Sequence, residues 1–290
     1  MYKNNGLMGL SNLGNTCYMN SVLQFLSHIY LDMDIIESLK STETDSYTTL
    51  NDKISSTFYK FLKNKWLKQD ISNYNPKSMK NAISKFNKTF IGNDQHDSHE
   101  LLIFMLDNME KDNPFIKKHF QGQFVSILEC PKCEYKSKTK EPFYTLNVEI
   151  NYNNLKDCLR DFFNSETLDN NNCWNCNKCK KDVNATKKIT ISKYPKNLII
   201  VLKRFSYDRI GRRCNKQIQF PLTFNKYKLK SFINHYGSYD CGHYTAIGKS
   251  PINNKWIHYN DTDVSYINCE EEEERLRKFG ISAYILLYEK

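Results

Sequence analysis

The sequence predicts an α+β fold, with helices gathered in the first part of the chain and strands in the rest. Three observations carry this. Up to about residue 115, apolar residues recur at the i, i+3, i+4 spacing of one helix face. From Phe120 the texture changes to short runs rich in aromatic and β-branched residues. Two Cys-x-x-Cys pairs lie inside that strand-rich stretch. With 290 residues, 40% of them hydrophobic and 13% aromatic, the chain can build a sizeable core.

The first dense segment, Gly9 to Leu26, reads GLSNLGNTCYMNSVLQFL. Met19, Val22, Leu23, Leu26 and Ile29 share one helical face, so a buried helix is expected, with Asn15 or Thr16 as its cap after the loop at Gly14. Cys17 then sits in the first turn, where free N–H groups and the helix dipole favour a thiolate. From this helix alone, a nucleophile and an inert buried cysteine stand level. Residues 41–76 read as helical but polar, with Phe58, Phe61, Leu62 and Trp66 as an apolar face and Asn73–Pro76 as a turn. The second dense segment, GNDQHDSHELLIFMLDNME from Gly92, forms a stripe of Leu101, Leu102, Met105, Leu106 and Met109, with Asp97 and Ser98 as candidate caps. His96, Asp97, His99 and Glu100 are too tightly consecutive to share a helix face, which argues against a metal site there.

Strands are expected at Phe120–Leu128, Phe143–Ile150, Thr186–Ile191 and Leu198–Phe205, and later at Lys216–Phe224, Tyr239–Ile247, Trp256–Asn260 and Ala283–Tyr288. A charged helix is expected over Glu270–Lys278, with Glu–Arg and Glu–Lys pairs one turn apart on a solvated face. Cys130 with Cys133 and Cys176 with Cys179 have the spacing of a four-thiolate zinc site, each pair clamping from a tight knuckle. Cys173 complicates this by offering a second pairing with Cys176. Cys158, Cys214 and Cys269 are read as packing residues.

No apolar run is long enough to span a membrane, and the N-terminus lacks a signal-peptide core. A soluble intracellular protein is expected, cytoplasmic or nuclear, with its ten cysteines reduced. The net charge of +10 comes mostly from lysine. No dense basic stretch is interleaved with aromatics, so a solvated surface is expected rather than nucleic-acid binding. The lysine-, asparagine- and isoleucine-rich composition is that of an A/T-rich genome, and the expected source is a virus or a protist.

Two short segments near the end carry chemistry. Tyr239 to Gly248, YDCGHYTAIG, places His243 after a glycine at the start of a strand. Trp256 to Asp263, WIHYNDTD, places Asn260 and Asp261 at the far end of the next. If the two strands are neighbours, the base and its partner meet, and the chain order is Cys, His, Asn, the order of papain-like thiol proteases. Cys17 would attack a carbonyl carbon, His243 would move the proton, and Asn260 would fix the imidazole.

Three blocks together resemble the ubiquitin-specific protease family of deubiquitinases. They are the cysteine box from Gly9 to Leu26, the QHDSHELL segment from Gln95 to Leu102, and the histidine box from about Tyr227 to Tyr266. The CxxC pairs, Leu202 to Phe205, Gln219 to Pro221 and the closing AYILLY from Ala283 are similar to further landmarks of the family. The resemblance covers essentially the whole chain.

The resemblance implies roles residue by residue. Cys17 is the nucleophile, His243 the base and Asn260 the third member, where many relatives carry aspartate. Asp261 matches a second acidic position that supports catalysis, and Asn12 matches the oxyanion-hole side chain. Asp97 matches a position that binds an arginine of the ubiquitin tail, and Tyr244 matches a residue lining the tail channel. Cys130, Cys133, Cys176 and Cys179 are the implied ligands of one structural Zn²⁺, with Cys173 a bystander and Cys241 a small spacer.

The implied fold is papain-like, a single catalytic domain over residues 1–290. Its parts are a helical thumb to about residue 115, fingers over 116–190 with a zinc-ribbon-like site, and a palm over 191–290. The implied reaction is hydrolysis after the C-terminal glycine of ubiquitin through an acyl-enzyme on Cys17, needing no catalytic cofactor. The expected partners are ubiquitin and ubiquitinated proteins, with no nucleic acid and no membrane, and the expected state is a monomer. The alternatives are a ubiquitin-binding pseudoenzyme, a protease for a ubiquitin-like modifier, and a zinc-containing nucleic-acid binder.

Overall fold

Helix α1 (Cys17–Ser27) is buried along its whole length. A helix hidden on all sides must satisfy its polar side chains internally, and Gln24 and Ser27 of α1 do so. Gln24 donates to the Met8 carbonyl at 2.7 Å, and Ser27 accepts from the fully buried Lys65 Nζ at 2.8 Å. The computed structural model describes residues 5–29, 53–68, 71–169, 172–205, 213–238, 241–267 and 272–290. The expected helical residues 41–52, and Tyr239, Asp240 and Cys269, lie outside them.

Around α1 stand α2 (Ile54–Leu67), α3 (Lys77–Phe86), α4 (Ser98–Asp112) and α5 (Pro114–Phe120). The expected face of Phe58, Phe61, Leu62 and Trp66 on α2 is buried, as is the stripe of Leu101, Leu102, Met105, Leu106 and Met109 on α4. Asp97 caps α4, accepting from the His99 and Glu100 N–H groups at 2.5 and 3.3 Å. Helix α3 was not foreseen: only Met79, Ala82 and Ile83 are buried, too few to mark a period. Strands β1 (Gly9–Leu10) and β2 (Asn73–Tyr74) form a small parallel pair that ties the cysteine loop to this helical part.

The fingers are a four-stranded sheet in the order β4 (Lys136–Phe143), β3 (Gly122–Glu129), β9 (Thr186–Lys193) and β6 (Glu166–Thr167). Strand β4, KSKTKEPF, has no apolar alternation to announce it. It is an edge strand, and lysines with a proline suit an edge that must not recruit another chain. At the tip, β7 (Trp174–Asn175) pairs with β8 (Asp182–Val183).

The palm is an eight-stranded sheet. Its path runs β15 (Asp263–Tyr266), β14 (Trp256–Asn260), β13 (Gly242–Lys249), β12 (Tyr227–Gly237), β16 (Ala283–Glu289), β10 (Asn197–Lys203) and β5 (Thr145–Glu149), and β11 (Thr223–Phe224) joins β12. Helix α1 packs on one face against β12, β13 and β14. The other face is covered in part by α6 (Leu155–Phe162), capped by Asn154. Helix α7 (Glu272–Arg277) stands where the charged helix was expected.

Two expectations are corrected. Strand β5 and helix α6 lie within 116–190 yet belong to the palm, since β5 pairs in parallel with β10. The strand expected at Lys216–Phe224 shrinks to Thr223–Phe224, because Pro221 cannot continue a ladder. The unforeseen central strand is β12, where register shifts at Leu229/Ser231 and Ile233/Asn234 break the two-residue period.

Arg204 locks the palm's outer connection. It is fully buried and donates to the carbonyls of Ala283, Cys214, Lys216 and Gly280 at 2.5 to 3.1 Å. The Leu202 to Phe205 landmark is therefore a structural rivet.

Candidate active site

Strands β13 and β14 are antiparallel neighbours, Ala246 opposite Tyr259. The start of one therefore lies beside the end of the other. His243 Nε2 bonds Asn260 Oδ1 at 2.6 Å. An amide oxygen can only accept, so the ring proton sits on Nε2 and Nδ1 is left for the sulfur. Cys17, buried at the start of α1, acts on the same imidazole. Residues distant in sequence are thus brought together where α1, β13 and β14 meet.

Cys17 is the largest influence on the imidazole, and it raises the His243 pKa to about 9. Burial works against this, while the bond to Asn260 and the charges of Cys17 and Asp261 add to it. Below that pH the ring is a cation beside the sulfur, and the charge is lost as pH rises through it. His235, buried nearby, moves the other way. Burial, then Arg213, His243 and Arg204, depress its pKa to about 4 and keep it neutral. A Cβ on Gly242 would come within 1.9 Å of the His235 ring, so only glycine fits before His243.

The cysteine loop departs from expectation at its cap. Thr16 occupies the N-cap position of α1 but makes no side-chain bond to the helix, and its hydroxyl accepts from the Leu13 N–H at 2.9 Å. Asn15, at φ 54°, instead donates to the Asn93 carbonyl at 2.8 Å. The first N–H groups of α1 thus have no side-chain cap. Asn12 folds back over this loop. Its Oδ1 accepts from the Gly14 and Thr16 N–H groups at 3.0 and 3.1 Å, which turns its Nδ2 outward.

Asp261 does a different job from Asn260. Its carboxylate accepts from Asn12 Nδ2 and Asn20 Nδ2, both at 2.8 Å. No described hydrogen bond joins it to His243. Asp261 therefore stands behind the Asn12 amide and Asn260 behind the imidazole.

Asp97 and Tyr244 lie at the palm–thumb junction. Asp97 Oδ2 accepts from the Tyr284 hydroxyl at 2.8 Å. Tyr244 is buried, its ring 4.6 Å from His235 and 6.4 Å from Tyr284, and burial raises its hydroxyl pKa. Beside them lies a cavity of about 520 Å³ lined by His99, Asn147, Glu149, Lys203, Phe205 and Tyr284. Gln95 was in view within its block but had no assigned role. Its Oε1 accepts from the Gly242 N–H at 2.9 Å, bracing the histidine strand from the thumb. Nothing local in the sequence announces a contact across that separation.

At the tip of the fingers, the sulfurs of Cys130, Cys133, Cys176 and Cys179 all lie within 4.8 Å of one another. Cys130 and Cys179 are 3.9 Å apart, and Cys133 and Cys176 are 3.6 Å apart. A tetrahedral ion with bonds of ~2.3 Å needs sulfurs about 3.8 Å apart, so the quartet fits a metal. Cys173 points instead to the Asp169 carbonyl and Asn184. Among the described residues this is the one such cluster, and His96, Asp97, His99 and Glu100 do not form another.

The family described as ubiquitin carboxyl-terminal hydrolase matches residues 8–288. The chain is 31% identical to ubiquitin carboxyl-terminal hydrolase Usp2 of Drosophila melanogaster, over 99% of this chain and 35% of that protein. It is 30% identical to ubiquitin carboxyl-terminal hydrolase 2 of Gallus gallus, over 98% and 93% respectively. For the Homo sapiens protein of that name the figures are 29%, 98% and 55%. Against most of these relatives the chain spans well under two thirds of their length. Among solved structures, it resembles the SAGA Ubp8/Sgf11/Sus1/Sgf73 DUB module bound to ubiquitin aldehyde. There the TM-score is 0.82 and the identity 26%, over all of this chain and 70% of that one.

The imidazole supplies a direct prediction. By NMR, His243 is expected to titrate near pH 9, and Cys17→Ala should bring its midpoint down, because the sulfur is the largest raising influence. A midpoint unmoved by Cys17→Ala would contradict the contact.

Proposed function

Since the chain belongs to the ubiquitin carboxyl-terminal hydrolase family, we propose that it is a thiol-dependent deubiquitinase cleaving after the C-terminal glycine of ubiquitin. The observation that carries this reading is an imidazole bonded to Asn260 Oδ1 at 2.6 Å, with Cys17 the largest influence on its charge. His243 Nδ1 takes the thiol proton, and the Cys17 thiolate attacks the glycine carbonyl carbon. Asn12 Nδ2–H and the Cys17 N–H receive the developing oxyanion. The imidazolium then gives its proton to the departing amine, leaving an acyl-enzyme on Cys17. His243 next takes a proton from water, and hydroxide attack releases ubiquitin and restores the thiol.

In this reading Asp97 meets an arginine of the ubiquitin tail. A carboxylate that caps a helix and accepts from Tyr284 still has lone pairs to offer. Tyr244, packed on Tyr284, forms the wall behind it. The four cysteines hold one Zn²⁺, which knits the tip of the fingers together and takes no part in the reaction. The 290 residues act as one catalytic domain, as a monomer, in a compartment reducing enough to keep the described cysteines free.

The deciding experiment is reaction with ubiquitin carrying a C-terminal electrophile. The wild type is expected to form a covalent adduct at Cys17, and Cys17→Ala none. Asn12→Ala should lower kcat by ~10²–10³. Asp97→Asn, which keeps the cap acceptor, and Tyr244→Ala should raise KM instead. A wild type that forms no adduct with ubiquitin but labels with a ubiquitin-like modifier would shift the substrate, and labelling with neither would end the reading.

Metal content is checked separately. Elemental analysis should find about one zinc per chain, lost in Cys176→Ser, and a stable wild type without metal would contradict the assignment.

A further inference from the structure

Asn20 lies one turn beyond Cys17 on α1 and is 2% exposed. Its amide nitrogen donates to Asp261 Oδ1 at 2.8 Å and faces the Ser11 and Leu10 carbonyls at 3.3 and 3.4 Å. Its own Oδ1 is buried without a hydrogen-bond partner among the described residues. An unpaired buried acceptor is a cost that a packing role would not require. The other oxygen of the same carboxylate accepts from Asn12 Nδ2 at 2.8 Å. Asp261 itself sits at φ 52°, in the turn between β14 and β15, with its carbonyl accepting from the Leu10 N–H at 2.8 Å. The carboxylate is therefore gripped from the nucleophile's own helix and passes that position on to Asn12.

Building on the deubiquitinase reading, we propose that Asn20 is a positioning residue for the oxyanion donor. By clamping one oxygen of Asp261, it holds the other where Asn12 keeps one amide hydrogen engaged and aims the second at the oxyanion. With Asn12 Oδ1 held by the Gly14 and Thr16 N–H groups, the carboxylate engages one amide hydrogen, steadies the amide plane and leaves the other hydrogen free. Asn20 touches neither substrate nor sulfur in this scheme.

The test measures turnover of a ubiquitin C-terminal fluorogenic amide, counted per active site titrated with a ubiquitin electrophile. That count keeps a loss of folded protein from being read as a loss of catalysis. Asn20→Leu, of similar size, should lower kcat by about 10- to 100-fold with KM unchanged. Affinity for ubiquitin aldehyde, which forms an oxyanion on Cys17, should fall in step, while affinity for free ubiquitin should hold. Asn12→Ala combined with Asn20→Leu should be no slower than Asn12→Ala alone. In Asn20→Asp an ionised carboxylate faces Asp261, so its deficit should shrink as pH falls and the acid regains a proton to donate.

A wild-type kcat in Asn20→Leu, a loss that adds in full to that of Asn12→Ala, or a deficit in Asn20→Asp that ignores pH would each overturn the inference. In those cases wild-type adduct formation would leave the deubiquitinase reading intact. A wild type that does not react with ubiquitin aldehyde would overturn both.

Discussion

The carboxylate of Asp261 is the point on which the halves of this molecule meet. The cysteine loop and α1 come from the helical part, and Asp261 comes from the end of a palm strand. Two amides, Asn12 and Asn20, reach it from the first half, and its carbonyl takes the Leu10 N–H. The approach is close enough that a Cβ on Gly9 would meet the Thr262 carbonyl oxygen at 2.5 Å, so glycine is required there. A residue at φ 52° is uncommon outside glycine, and aspartate and asparagine tolerate it best. The turn that brings Asp261 under the cysteine loop also leaves Asn260, one residue earlier, on the strand beside His243. One turn thereby supplies two polar partners facing two targets.

This division explains how a neutral third residue suffices. A carboxylate beside the imidazole would stabilise its charged form by direct attraction. Here the largest stabilising influence is the Cys17 sulfur, and Asn260 contributes a hydrogen bond that fixes the tautomer. Asp261 acts on the ring only as a more distant charge. The buried His235 adds no competing cation, because its own pKa is depressed to about 4. The electrostatics of the site thus favour the charged imidazole without a carboxylate hydrogen-bonded to the ring.

What was legible in the sequence follows from how each feature is encoded. Cys17, His243 and Asn260 lie in short contiguous runs, and the pairing of β13 with β14 is the simplest topology for adjacent strands. Helices α1, α2 and α4 show regular apolar stripes. Strand β12 was hidden by its register shifts, β4 by its lysines, and α3 and α6 by having few buried residues each. The resemblance put Asn260 ahead of Asp261 as the partner of the imidazole, but what Asp261 reaches was not legible, because adjacent residues in a turn point in directions set by φ. The contacts of Gln95 and Asn20 were illegible for a different reason: they span the chain and leave no local period. The cap expected from Asn15 or Thr16 failed because tertiary bonds to Asn93 and Leu13 took those side chains.

The central claim is that Asn260 serves the imidazole and Asp261 serves the Asn12 amide. The ¹⁵N shifts of the His243 ring above pH 9, where it is neutral, report its tautomer and test that claim most directly. Asp261→Ala should keep the wild-type Nε2–H tautomer, while Asn260→Ala should yield a mixture. A tautomer lost in Asp261→Ala and kept in Asn260→Ala would contradict the account.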